Sequence, residues 1–327
     1  MDGQTVAMKR SATDYTRKVL HKFGILLGLL VMSLVFSILS DHFFTVDNLL
    51  TIALQTSVIG ILAIAQTYVI ITSGIDLSVG SILAVSGVVT GKLMVAGTPI
   101  WLAIVAGILI GAVCGWINGL VIAKLNIAPF IATLGMMSIA RGVAYVITGA
   151  MPVSGLPEEF YFIGGGSIGR IPIPMIEMFV LAIVFGFILR KSRFGRYVYC
   201  LGSNEDAAVL SGINVQKTKI WVYVISGSLA AFAGIMMASR LVSAQSTAGT
   251  GYELDAIAAA IIGGTSPAGG SGKIRETIIG AFIIGILRNG LNLLNVNAFW
   301  QQIAIGAVII IAVYMDTLRR RKGHALA

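Results

Sequence analysis

Leu49-Leu50-Thr51-Ile52-Ala53-Leu54-Gln55-Thr56-Ser57-Val58-Ile59-Gly60-Ile61-Leu62-Ala63-Ile64-Ala65-Gln66-Thr67-Tyr68-Val69-Ile70-Ile71 runs without one charged side chain. A helix needs about 20 mainly apolar residues to cross the hydrocarbon core of a bilayer, and this run supplies them. The rest of the chain has the same character. Of its 327 residues, 57% are hydrophobic and 11% charged, with a mean hydropathy of +0.91. A soluble domain carries about 25% charged residues, so this chain cannot cover a water-facing surface and is an integral membrane protein. Its 23 Lys and Arg exceed 14 Asp and Glu for a net charge of +9. The basic residues fall in short clusters between apolar runs and not along one polar face, which excludes a nucleic-acid binder. Cys114 sits in an apolar run and Cys200 in a basic segment, too far apart for a disulfide framework.

The same ruler predicts an all-α polytopic fold of about ten spans. They are Phe23 to Leu39, Leu49 to Ile71, Leu77 to Ala96, Ile100 to Ala123, Ile127 to Ile147, Ile173 to Leu189, Ile220 to Ala238, Leu254 to Ala268, Ile278 to Leu294 and Phe299 to Tyr314. The first follows a basic tail, 1–22, and reads as an anchor rather than a cleaved signal because no small-x-small site follows it. Lys and Arg are retained on the cytoplasmic side, which puts both termini inside, with the loop 190–219, Lys273, Arg275 and the basic tail 317–327. The exceptions are Lys92, Arg141, Arg170, Arg240 and Arg288. The eighth span runs into the glycine-rich stretch Gly263 to Gly272, so a short or broken helix shielded by protein is expected.

Gly74-Ile75-Asp76-Leu77 is echoed by Gly251-Tyr252-Glu253-Leu254. Gly111-Ala112 followed by Asn118-Gly119-Leu120 is echoed in the same order by Gly280-Ala281 and Asn289-Gly290-Leu291. The echoes lie five spans apart, an odd number, which predicts two inverted repeats, about 23–148 and about 173–316, within one membrane domain, 23–316.

Candidate pathway or gate residues follow from the interruptions. Gly74, Asp76, Ser78, Gly80 and Ser81 interrupt apolar helix, either as a break lining a polar path or as a cytoplasmic turn in which Asp76 or Ser78 caps the next helix. Gln245, Tyr252, Glu253 and Asp255 lie in the matching polar stretch, which is either pathway lining, contact with an external partner or plain loop. Arg141 and Arg288 fall inside spans and either serve function or snorkel to the interface. Glu177 is expected at the outer interface, and Asn118, Asn289 and the intramembrane glycines in helix packing.

Within 190–219, Ser203 or Asn204 can cap a short helix, Glu205 and Asp206 favour its start, and Gly212 stops it. Such a helix is either a docking element for a cytoplasmic partner or one lying passively on lipid. Gly270-Ser271-Gly272-Lys273 resembles the end of a phosphate-binding loop. Pro267 stands where that loop needs glycine and Ile274 where it needs Ser or Thr, so no nucleotide site is expected. His21, His42 and His324 all lie outside the spans, so neither a metal site nor catalysis is expected, and no cofactor.

Thr72 to Ser81, Phe130-Ile131-Ala132-Thr133-Leu134, Gly202 to Val215 and Ser243 to Ala259 together resemble the permease subunit of a ribose-type sugar importer of the ATP-binding-cassette class, from about Phe43 to the last span. The resemblance implies a bacterial inner-membrane dimer fed by a periplasmic sugar-binding protein and driven by a cytoplasmic ATPase pair. It implies that Asn204, Glu205, Asp206, Ala207, Ala208, Ser211 and Gly212 form the coupling element seated on that ATPase. No high-affinity sugar site is expected in the permease. Pro267 and the loop Met151 to Pro174 depart from the family pattern and leave the particular sugar open. The alternative is a self-sufficient secondary transporter, which would need an acidic site at mid-membrane, and Asp76, Glu253 and Asp255 all flank spans.

Overall fold

The structure, a computed structural model, describes residues 24–324, so the basic tail 1–22 and the end of the tail 317–327 lie outside the described residues. Helices α1 (Gly24–Leu39), α2 (Val46–Ile71), α3 (Val79–Val95), α4 (Ile100–Lys124) and α5 (Pro129–Thr148) come first. A connecting segment carries α6 (Tyr161–Gly165) and an antiparallel hairpin of β1 (Ser167–Ile168) and β2 (Ile171–Pro172), with Ile168 opposite Ile171. Then follow α7 (Ile173–Lys191), α8 (Arg193–Ser203), α9 (Glu205–Leu210), α10 (Val215–Leu241), α11 (Tyr252–Ile262), α12 (Ile274–Leu293) and α13 (Ala298–His324). Six of these, α2, α4, α5, α7, α10 and α12, are long and apolar enough to cross a membrane, and α1 and α3 are shorter apolar helices.

Local chemistry sets the boundaries. Thr45 Oγ1 accepts from the Asn48 N–H at 3.3 Å to start α2, and Pro129 opens α5 where its missing N–H costs nothing. Gly149, at φ +60°, closes α5 in the left-handed region.

The apolar windows of α2 and α10 are 67% and 61% buried, against 22% for α4, α5 and α7, so α2 and α10 form the centre and the others the rim. Rim residues such as Trp101, Val146 and Ile183 present apolar side chains outward, as a lipid-facing surface requires. On α4, Gly111, Gly115 and Gly119 recur every fourth residue against α10, where a Cβ would strike the Gly227 carbonyl, the Tyr223 carbonyl and the Ile220 backbone. Close backbone approach of this kind is how apolar helices associate when lipid removes the hydrophobic drive. Gly111→Leu is therefore expected to cost toward the upper end of about 1–3 kcal/mol through overpacking. Gly135→Leu, whose Cβ meets open space, is expected to cost nothing. Equal thermal midpoints for the two variants in detergent would contradict this packing.

Two sequence expectations need correction. The eighth span is the short helix expected, but its bounds are not Leu254 to Ala268: α11 ends at Ile262 after 11 residues, where Gly263 closes it and Gly264 turns at φ +85°. At 1.5 Å per residue that helix is about 16 Å long, roughly half the hydrocarbon thickness. Burial of Asp255 to Ala260 shields it inside the protein. The segment 190–219 is not a loop holding one helix: α7 reaches Lys191, and Ser192 Oγ accepts from the Gly195 N–H at 3.0 Å to start α8. A non-helical segment followed by a short buried helix thus occurs twice, after α2 and after α10.

Candidate functional site

The two interruptions meet. A Cβ on Gly80 would run into the Gly249 carbonyl oxygen and the Glu253 carboxylate, so the start of α3 and the segment leading into α11 touch backbone to backbone. Arg141, on α5, holds them there: its Nη1 donates to the Ser246 and Ala248 carbonyls at 2.6 and 2.8 Å, and its Nη2 to the Gly80 carbonyl at 3.2 Å. Arg141 therefore does not snorkel away; it satisfies carbonyls that a broken helix leaves without partners. Arg141→Met is expected to orphan the Ser246 and Ala248 carbonyls, at about 1–3 kcal/mol for each one that finds no water, while the Gly80 carbonyl keeps its place in α3. The expected result is a lower thermal midpoint and faster proteolysis between Ser243 and Gly251. An unchanged cleavage rate would rule out the clamp.

Asp76 is fully buried. Its Oδ1 accepts from the Ser78 N–H at 2.9 Å and the Ser78 hydroxyl at 2.6 Å, and its Oδ2 from the Ser226 hydroxyl on α10 at 2.7 Å. Asn118 on α4 donates to Ser78 Oγ at 2.9 Å, and the Gln66 amide donates to the Asp76 backbone carbonyl. This corrects the reading of Asp76 or Ser78 as a side-chain cap of the next helix. Ser78 is the N-cap of α3 but makes no side-chain cap bond, and Asp76 organises an Asx turn inside the protein instead of capping at a surface. Gly74 lies against the Tyr223 hydroxyl, where a Cβ would come within 2.6 Å, and Ser81 is buried at the head of α3.

In the second interruption Asp255, 1% exposed, pairs with Arg288 Nη2 at 2.5 Å, and the Arg288 guanidinium lies 5.9 Å from the Tyr252 ring centroid. Arg288 is thus a partner for a buried carboxylate rather than an interfacial charge. Gln245 stands apart, beside Gly87 and Gly234 where α3 and α10 approach. Asn289 donates to Asn48 Oδ1 at 2.9 Å, a bond between α12 and α2. Glu177 is half-buried in the first turns of α7. The sequence reading missed Ser226 and Gly249. Ser226 carried only the weak signal of one hydroxyl among the small residues Ser226-Gly227-Ser228.

At α9, Asn204 Oδ1 accepts from the Ala207 N–H at 2.9 Å, Glu205 and Asp206 occupy the first turn, and Gly212 takes φ +77° beyond Ser211. Ala207 accepts the Ser211 hydroxyl at 2.8 Å through its carbonyl, and Ala208 is buried against Leu201 and Val215. Lys219 pairs with Glu205 at 2.7 Å. Val209 and Leu210 point outward, 57% and 90% exposed.

The glycine-rich stretch seals this end of the molecule instead of holding phosphate. The Gly270 N–H donates to the Ile71 carbonyl at 2.9 Å, the Ser73 hydroxyl to the Ala268 carbonyl at 3.1 Å, and the Tyr199 hydroxyl to the Gly272 carbonyl at 2.7 Å. Burial and the nearby Glu276 carboxylate push the Tyr199 phenol above its ordinary range, which keeps it a donor. Among the described residues no group of His, Cys, Asp and Glu is placed to hold a metal ion, and Cys114 and Cys200 are free.

Buried helix breaks, close-packed glycines and an apolar rim are the features of a polytopic membrane protein. Residues 48–313 match the family described as branched-chain amino acid transport system / permease component, and the chain belongs to this family. It is 46% identical over 324 residues to the ribose import permease protein RbsC of Escherichia coli (strain K12), covering 98% of this chain and 100% of the relative. The corresponding values for RbsC of Bacillus subtilis (strain 168) are 47% over 300 residues, 91% and 93%. For the D-allose transport system permease protein AlsC of Escherichia coli (strain K12) they are 41% over 299 residues, 91% and 92%. No solved structure matches the chain significantly.

Proposed function

We propose that this chain is the membrane-spanning subunit of an ATP-driven importer that carries ribose or a related monosaccharide across a bacterial inner membrane. The observation that carries this reading is similarity along essentially the whole chain to permeases named for ribose import, at 46% and 47% identity. The family description mentions branched-chain amino acids, but the relatives at 41–47% identity are named for sugars and bear more directly on the cargo.

In this reading α1–α5, α7, α10, α12 and α13 each cross once and α11 crosses together with the protein-shielded non-helical segments beside it, in two inverted repeats (about 23–148 and 173–316 of one domain, 23–316), with the tails 1–22 and 317–327 cytoplasmic. The recurrence of a break and a short helix after α2 and α10 supports the repeat, and the distribution of Lys and Arg supports the orientation. Two copies enclose the path, a periplasmic binding protein delivers the sugar, and ATP is hydrolysed by a cytoplasmic partner. Asn204 to Gly212 seats on that ATPase; exposed Val209 and Leu210 would otherwise offer apolar surface to water. Gly74, Asp76, Ser78, Gly80, Ser81, Gln245, Tyr252, Glu253 and Asp255 belong to the path or its gate.

The secondary-transporter alternative cannot be dismissed for want of buried acids, as the sequence suggested, because Asp76 and Asp255 are both buried. Asp255 is already paired with Arg288, however, and the relatives named for import systems favour the ATP-driven reading. Co-reconstitution with the cognate ATPase and binding protein tests it: ribose uptake should require both partners and ATP. Robust accumulation by the permease alone would refute it.

A further inference from the structure

We infer that the permease itself holds a low-affinity subsite for one monosaccharide ring, in a cavity of about 200 Å³ between α2, α10, α11 and α12 lined by Gln55, Arg240, Tyr252, Arg288 and Asn292. The inference rests on the sugar-importer reading and adds a place where the sugar pauses. Gln55 lies nine residues into α2, about 14 Å along the helix from its outer end. Tyr252 opens α11, so the second break borders the cavity, and Arg240 and Asn292 bring the last turns of α10 and α12 to it. In the orientation proposed above those turns lie on the outer side, so a sugar released there meets this chamber first.

The polar groups here are not consumed by the fold. Among the described residues, the Gln55 amide, the Arg240 guanidinium and the Tyr252 hydroxyl have no protein hydrogen-bond partner, and Arg288 Nε has none either. Asn292 gives its Oδ1 to Gln301 at 2.7 Å and keeps its amide N–H groups. Leaving such groups against lipid is costly, so they face water or a ligand that replaces it. Planar amides and guanidinium groups match vicinal hydroxyls that both donate and accept, while Val58 and Met237 supply apolar wall for the C–H face of a ring. Arg288 is paired with Asp255, while Arg240 has no carboxylate partner among the described residues, so the wall carries one open cation beside its amides. A volume of about 200 Å³ leaves room for one pentose or hexose ring.

Ligand-observed saturation-transfer NMR on the full chain in nanodiscs tests this, with D-ribose and glycerol as probes. D-ribose should show transfer at millimolar concentration and glycerol should not. Gln55→Leu combined with Tyr252→Phe should weaken D-ribose binding by about tenfold or more, as loss of one or two hydrogen bonds predicts, while Gln55→Asn retains most of it. Thermal midpoints equal to the parent's confirm that both variants fold. In the co-reconstituted importer the double variant should slow uptake while ATP hydrolysis stimulated by the binding protein persists. Absent transfer from the parent protein, undiminished transfer in the double variant, or equal transfer to glycerol would overturn the subsite. An importer that takes up no monosaccharide at all would overturn the importer reading and the subsite together. Uptake that the double variant leaves unchanged would overturn the subsite alone.

Discussion

Arg288→Met is expected to destabilise this permease by about 3–5 kcal/mol, the usual cost of stranding one member of a buried ion pair. The stranded group is Asp255, 1% exposed at the head of the buried stretch Asp255 to Ala260, with Arg288 Nη2 at 2.5 Å as its one cationic partner among the described residues. A carboxylate there must either take up a proton or draw water into the protein, and Tyr252 loses the guanidinium over its ring. The measurement is the thermal midpoint in detergent, alongside the amount of protein inserted in the membrane. Asp255→Asn combined with Arg288→Met removes both charges and should recover most of the loss. A single variant within about 0.5 kcal/mol of the parent would show that the pair carries no stability.

Replacing Glu205 to Gly212 by a flexible Gly-Ser linker of equal length is expected to abolish uptake in the co-reconstituted importer while leaving membrane insertion intact. The replaced turn is held locally, by the Asn204 cap, the Lys219–Glu205 pair and Ala208 against Leu201 and Val215, so its loss leaves the contacts of α2, α3 and α4 with α10 in place. What disappears is the apolar tip of Val209 and Leu210. Uptake within a few-fold of the parent would mean that the coupling surface lies elsewhere; ATP hydrolysis that no longer responds to the binding protein is the expected companion result. The narrower variant Leu210→Asp removes the apolar contact without touching the cap and should give the same loss of coupling.

The spans were the legible part of the fold, because about 20 apolar residues in a row have few other uses. Ile100 and Ile173 were placed as helix starts to the residue. Alanine and isoleucine through Ile262 kept the hydropathy high, and only the Gly263-Gly264 turn, whose effect is conformational, revealed that α11 stops early. Segment α8 escaped because Arg193, Arg196 and three aromatic residues read as a basic loop, although buried Val198 and Leu201 lie on one face of an amphipathic helix. At the site, the interruptions could be located but not their partners. Asp76 meets Ser226 across 150 residues of sequence. Arg141 meets backbone carbonyls, which no pattern of side chains announces.

The hydrogen bonds of the glycine-rich turn bear on how force moves through the molecule. Gly270 with Ile71, Ala268 with Ser73, and Gly272 with Tyr199 bind the end of α2, the approach to α12 and helix α8 into one knot. Three bonds among segments far apart in sequence tie these pieces together, so in the proposed importer a displacement at α9 would carry α2 and α12 with it. Slow amide hydrogen exchange at Gly270 would be the spectroscopic mark of that knot.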